Sequence, residues 1–189
     1  LNKNQELKNI LLEETPWLTE AKNETEQQQR IALLFDLNQQ EQLKSRYLDK
    51  LSTLQLPNGA FSWFEGMGES RWVTQFIAEG LLKAREFTDI NIINRMLGPA
   101  MNYLEGQITK DYLQVKKQVK DYEKKMNINS LQLHFLSLRT KINAPEISAD
   151  SKEAMVFYIK ETEQYYNKFG LYDKALAAMI LHHANKPVA

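Results

Sequence analysis

Three sets of side chains in this sequence have types and spacings from which chemistry could be built. The first is the histidines, His134, His182 and His183. The last two are adjacent, so on a helix they point about 100° apart and lack the i, i+4 spacing of a helical zinc pair. A shared metal site would require helix packing to bring His134 to them; packed or solvated histidines are the simpler reading. The second set is Glu65 and Glu69, which flank Gly66 and Gly68 close to Trp63. Carboxylates beside aromatics in a loop are what a glycosidase displays. They are equally an acidic loop rim, with Glu69 favouring the N-terminus of the helix that follows. The third is the run Lys110, Lys116, Lys117, Lys120, Lys124 and Lys125, three positive charges in excess of Asp111, Asp121 and Glu123. A nucleic-acid face would want arginines and interleaved exposed aromatics, so a solvated helix surface is expected instead. There is no Gly-x-Ser-x-Gly elbow, P-loop, dinucleotide fingerprint or His-Glu-x-x-His, so no catalytic, cofactor-binding or metal-ligating residue is assigned.

The elements that must position these groups are helices. The chain has 189 residues, 43% hydrophobic and 25% charged, an ordinary globular composition that can bury about 70% of the unfolded surface. Twenty-four basic residues cancel twenty-four acidic ones, which removes a global electrostatic case for nucleic acid or an anionic membrane. The longest clean apolar run, Ala175 to Leu181, is far shorter than the ~20 residues a membrane helix needs. With no cysteine, disulfides, thiolate metal sites and cysteine nucleophiles are excluded within this segment. The absence of an initial Met and of a leader pattern reads as the start of an internal piece of a longer chain.

Seven Gly and five Pro are the only strong punctuation, and helix formers dominate between them. Leu7, Ile10 and Leu11 outline a first short helix, and Thr15-Pro16-Trp17 reads as the start of another. Ile31, Leu34 and Phe35 form a stripe, after which Asn38 and Glu41 predict a fresh capping-box start for a helix through Leu54. Pro57-Asn58-Gly59 predicts a tight turn opening a loop with Phe61, Trp63 and Phe64, rings expected to fold onto a core or line a groove. Trp72, Val73, Phe76, Ile77, Gly80, Leu81 and Ala84 make the clearest amphipathic helix. Asp89 caps the next, with a kink or break expected at Gly98-Pro99. Residues 128–138 read as a helix buried on all sides, ended by Asn143-Ala144-Pro145. Asp150 starts another that Gly170 closes, and Asp173 opens a last one over Ala175–Ala184. The expectation is an all-α fold of roughly seven to nine helices with short links. Polar and greasier helices alternate, as inner and outer layers of a toroid or solenoid would.

The stretch Leu54-Gln55-Leu56-Pro57-Asn58-Gly59-Ala60-Phe61-Ser62-Trp63-Phe64, then Gly66, then Ser70-Arg71-Trp72-Val73-Thr74-Gln75-Phe76-Ile77-Ala78-Glu79-Gly80-Leu81 resembles the helical thioester-domain toroid of bacterial alpha-2-macroglobulins. Leu131 to Arg139 resembles an inner helix of the long Bacteroidetes-type members. Together the two stretches span about a fifth of the 189 residues. The resemblance implies one all-helical domain over residues 1–189, an incomplete α/α toroid from a larger multidomain protein, whose greasy open edges would favour self-association. It implies a non-enzymatic part of an inhibitor that traps or shields proteases. Its partners would be neighbouring domains of the parent chain and, transiently, a protease, with no nucleic acid and no membrane insertion by this segment. The parent is expected in the periplasm or cell envelope, exported and lipid-anchored in resembling proteins. The family's Cys-Gly-Glu-Gln thioester is not in this sequence. It either lies upstream or is lacking, and the Bacteroidetes-type likeness favours the second. Gly59, Phe61, Trp63 and Thr74 carry the likeness, and the roles it implies for them are structural. The competing classes are a carbohydrate-active or cyclase-like α/α-toroid enzyme using Glu65 or Glu69, and a helical interaction scaffold.

Overall fold

The computed structural model describes residues 23–142 and 148–184, and the chain divides into two compact units between Leu51 and Ser52. Among the described residues every regular element is helical. The helices expected around Leu7 and Thr15, and the stop at Asn143-Ala144-Pro145, lie outside the described residues.

The first unit is described from Asn23 onward and carries α1, Glu24–Thr53, one helix of 30 residues. Asn23 caps it, its side-chain Oδ1 accepting from the Glu26 N–H at 2.8 Å. Arg30 with Glu26 and Lys44 with Glu41 make ion pairs along it, of the kind that add a few tenths of a kcal/mol each. The new start expected at Asn38 does not occur. No Gly or Pro stands between Ile31 and Leu54, and a helix already nucleated propagates through a capping residue more cheaply than it restarts.

The second unit holds α2 (Arg71–Ala84), α3 (Ile90–Gln118), a 3-10 turn (Tyr122–Lys124), α4 (Ser130–Thr140), α5 (Ala149–Tyr165), a second 3-10 turn (Tyr166–Lys168) and α6 (Leu171–His183). Their starts are set by short polar side chains, as the orphan N–H groups of a first turn require. Ser70 accepts from Val73, Asp89 from Asn91, and Ser148 from Ser151. Asn129 and Gln132 form a reciprocal capping box. Asp89 is the cap expected; α5 begins at Ser148 rather than Asp150, and Gly170 occupies the capping position of α6 instead of closing α5.

Helices pack in two series. Consecutive pairs α2–α3, α4–α5 and α5–α6 touch, and so do alternate ones: α2 with α4, α4 with α6, and α3 with α5. Helix α4 touches both α2 and α6, and every residue from Gln132 to Leu138 is buried. In α6 only Leu176, Ala177, Ile180 and Leu181 are buried, while Leu171, Tyr172 and Met179 face solvent.

Helix α3 runs for 29 residues through Pro99, where a kink or a short break was expected; no break occurs. Proline denies the ladder one N–H and crowds the carbonyl four residues earlier. The loop before α2 docks at this weakened turn. Gln55 Nε2 donates to the Met96 carbonyl at 2.8 Å, and Gly59 lies so close to Pro99 that a Cβ would sit 2.2 Å from the Pro99 carbonyl oxygen.

Candidate functional site

The loop of residues 55–69 is a tight turn followed by an open arc. Gly59 takes φ +88°, a backbone region that side chains disfavour. Gly59 N–H donates to the Leu56 carbonyl and Leu56 N–H to the Ala60 carbonyl, both at 2.8 Å, and Gln55 pairs with Phe61 in a single antiparallel bridge. The turn expected at Pro57-Asn58-Gly59 is thus present. Phe61 is fully enclosed. Its N–H donates to Thr74 Oγ1 at 2.8 Å, and that hydroxyl donates to the Ser70 carbonyl at 2.7 Å. One threonine therefore locks the loop to the first turn of α2.

Trp63 and Phe64 behave differently: they are 52% and 68% exposed. Trp63 stacks on Trp72, ring centroids 5.3 Å apart and planes within 14°. Trp72 meets Phe76 at 4.2 Å, and Phe76 meets the His134 ring edge-on at 5.6 Å. Four rings therefore run in a row along α2 to the buried helix α4. The sequence pattern set Trp72 and Phe76 in the buried stripe of α2. The stripe that is buried is Val73, Thr74, Gln75, Ala78 and Leu81, because the hydroxyl of Thr74 and the amide of Gln75 are both needed inside.

At the inner end of the row His134 Nε2 is 3.2 Å from Glu79 Oε2. Glu79 also meets Lys83 Nζ at 3.0 Å and Lys141 Nζ at 4.0 Å. Burial pushes the His134 imidazole below 6.5, against the pull of Glu79 and with the two lysines adding to the push. Burial alone would raise Glu79, but the bonds from Lys83 and His134 outweigh it and hold its carboxyl below the usual range.

Asp111 of α3 accepts from Arg71 Nη1 at 2.5 Å and from Gln132 Nε2 at 2.7 Å, and Gln75 Nε2 donates to the Leu131 carbonyl. This polar hub ties α2, α3 and α4 together. The sequence analysis did not find it. Its signal is the pair of glutamines inside otherwise apolar helical faces, and an arginine directly after a capping serine.

The candidate groups separate. His134 faces Glu79, while His182 and His183 are exposed. Among the described residues no three His, Cys, Asp or Glu stand together as a metal site would need. Glu69 accepts from Asn58 Nδ2 and from the Tyr103 hydroxyl, which burial and the carboxylate push up to about 12; it is a tie between loop and α3. Glu65 is exposed. The six lysines of residues 110–125 are all exposed, the solvated face expected; Lys116 lies over the Tyr112 ring and pairs with Glu153. No described helix is long and apolar enough to cross a membrane. A scan against protein-family models finds no match to this chain, and searches of the curated proteins and of solved structures find none either.

Proposed function

We propose that the chain is a non-enzymatic helical domain of a bacterial alpha-2-macroglobulin-like protein that traps or shields proteases in the cell envelope. In this reading it forms part of an α/α toroid, an incomplete ring. The toroid reading draws support from the packing order, in which α4 touches both α2 and α6, and α3 touches α5.

The observation that carries the functional reading is the division of labour within the resembling stretch. Gly59, Phe61 and Thr74 build the frame, and Glu69 is bound to Asn58. What the stretch offers outward is a row of rings, Trp63, Trp72 and Phe76, each about half exposed. Half-exposed aromatic rings suit contact with neighbouring domains of a parent chain better than bond-breaking chemistry. The parent is exported, and it holds a protease transiently without a thioester in this segment.

The test uses the full-length parent and a broad-specificity protease. Residual activity is compared on a large protein substrate and on a small peptide. Loss on the large substrate with retention on the small one is expected from an enclosed protease; equal activity on both sinks the reading. The toroid-enzyme reading has one observation in its favour, the exposed Glu65 two residues from the exposed Trp63. Polysaccharide hydrolysis lost on Glu65→Gln would support it.

A further inference from the structure

We propose that His134 is an acid-sensitive latch that ties the exposed ring row of α2 to the buried helix α4 and lets go when its imidazole takes a proton. The geometry is a cluster built around one carboxylate. Glu79 faces His134 Nε2 at 3.2 Å, Lys83 Nζ at 3.0 Å and Lys141 Nζ at 4.0 Å. The charged groups acting on the ring are Glu79 and Lys83 of α2 and Lys141 just beyond α4; among the described residues, α5 and α6 bring none to it.

With the imidazole neutral, its Nε2–H donates to Glu79, and the carboxylate remains available to the lysines. The ring then backs Phe76 edge-on, and Phe76 backs Trp72. A proton adds a third cation around a single carboxylate. The His134 side chain is only 7% exposed, so water does little to screen the new charge. The charged ring gains by turning out to solvent, which removes the inner support of the row. Burial already holds the imidazole below 6.5. The latch is therefore closed at neutral pH. A depressed histidine contributes stability that is complete above 6.5 and is lost as pH falls through the folded value.

The 189-residue chain, labelled at histidine and tryptophan, is titrated from pH 8 to pH 4.5 by NMR. The His134 ring is expected to titrate below the 6.5 of an unperturbed histidine. The indole N–H signals of Trp72 and Trp63, assigned through Trp→Phe variants, should shift with the same midpoint and stop doing so in His134→Gln. Lys83→Met and Lys141→Met remove positive charge at exposed positions and should each raise the His134 midpoint, by less than about one pH unit because such charges are screened. If His134→Gln does not fold, the lysine variants carry the test alone. The proposal is overturned if His134 titrates at or above 6.5, if the indoles do not follow it, or if both lysine variants leave its midpoint unmoved or lowered.

Discussion

Phe61 and Trp63 are two residues apart on one loop, yet Phe61 is fully enclosed and Trp63 is 52% exposed. The backbone decides between them. At Phe61 the chain is bridged to Gln55, its N–H is taken by Thr74, and its carbonyl accepts from Ser70 N–H at 3.0 Å. Ser62 closes the set by donating to the Leu54 carbonyl. Beyond Ser62 the loop swings outward, and the exposed Trp63 ring stacks on Trp72. One face of the segment is thus architecture and the other is surface, so substitutions of similar size should have unlike consequences.

The comparison breaks most visibly at Phe61→Ala. Truncating a fully enclosed phenylalanine costs about 3–5 kcal/mol, a large part of the 5–15 kcal/mol typical of a domain. The urea midpoint should fall by a corresponding amount; a loss under about 1 kcal/mol would show that the loop repacks and that the enclosure matters little. Gly59→Ala should also destabilise, since it meets both the positive φ and the Pro99 carbonyl.

Thr74→Val sharpens the same point without changing shape. It leaves the buried Phe61 N–H with no acceptor, a loss of about 1–3 kcal/mol. Thr74→Ser keeps the hydroxyl and should recover most of it. A loss for Ser with none for Val in chemical denaturation would locate the effect in the methyl group rather than the hydrogen bond.

Much of this architecture was legible before any coordinates. Helices, the Pro57-Asn58-Gly59 turn, the Asp89 cap and the buried run from Gln132 to Leu138 in α4 follow from local rules of propensity, turn geometry and periodicity. The side of α2 that faces inward does not. Trp72 and Phe76 are larger and more apolar than Thr74 and Gln75, and hydrophobicity alone puts the rings inside. The inward side is chosen by partners remote in sequence, the Phe61 N–H for Thr74 and the Leu131 carbonyl for Gln75. The Asp111 hub is hidden for the same reason, because Arg71 and Gln132 reach it from helices 40 and 21 positions away. Asn38 and Pro99 mark the opposite limit: a local start signal or a local break signal is overridden when the helix on either side is already formed.

On the outer face Trp72→Ala should cost about 1 kcal/mol or less in unfolding free energy, the worth of an aromatic contact at a half-exposed site. Its larger effect is expected on the parent protein, as weaker shielding of a protease in the two-substrate assay. Destabilisation matching that of Phe61→Ala would erase the distinction between the two faces.

The smallest effect concerns a buried acid of α5. Glu161 of α5 accepts from the backbone and side-chain N–H groups of Asn127, each at 2.8 Å, fixing the segment that leads into α4. Burial raises its carboxyl above 4.5, and the Asn127 and Ile128 donors only partly offset that. A carboxyl raised on folding binds its proton more tightly in the folded state, so its contribution to stability grows as pH falls from the folded value toward 4.5. This is opposite in sign to His134. Wild type and Glu161→Gln share His134, so its contribution cancels in their difference. That difference, read from urea midpoints at pH 7 and pH 5, should move in favour of wild type at the lower pH. A constant difference would mean that the Asn127 donors hold Glu161 ionised, making it a fixed anchor for the segment before α4.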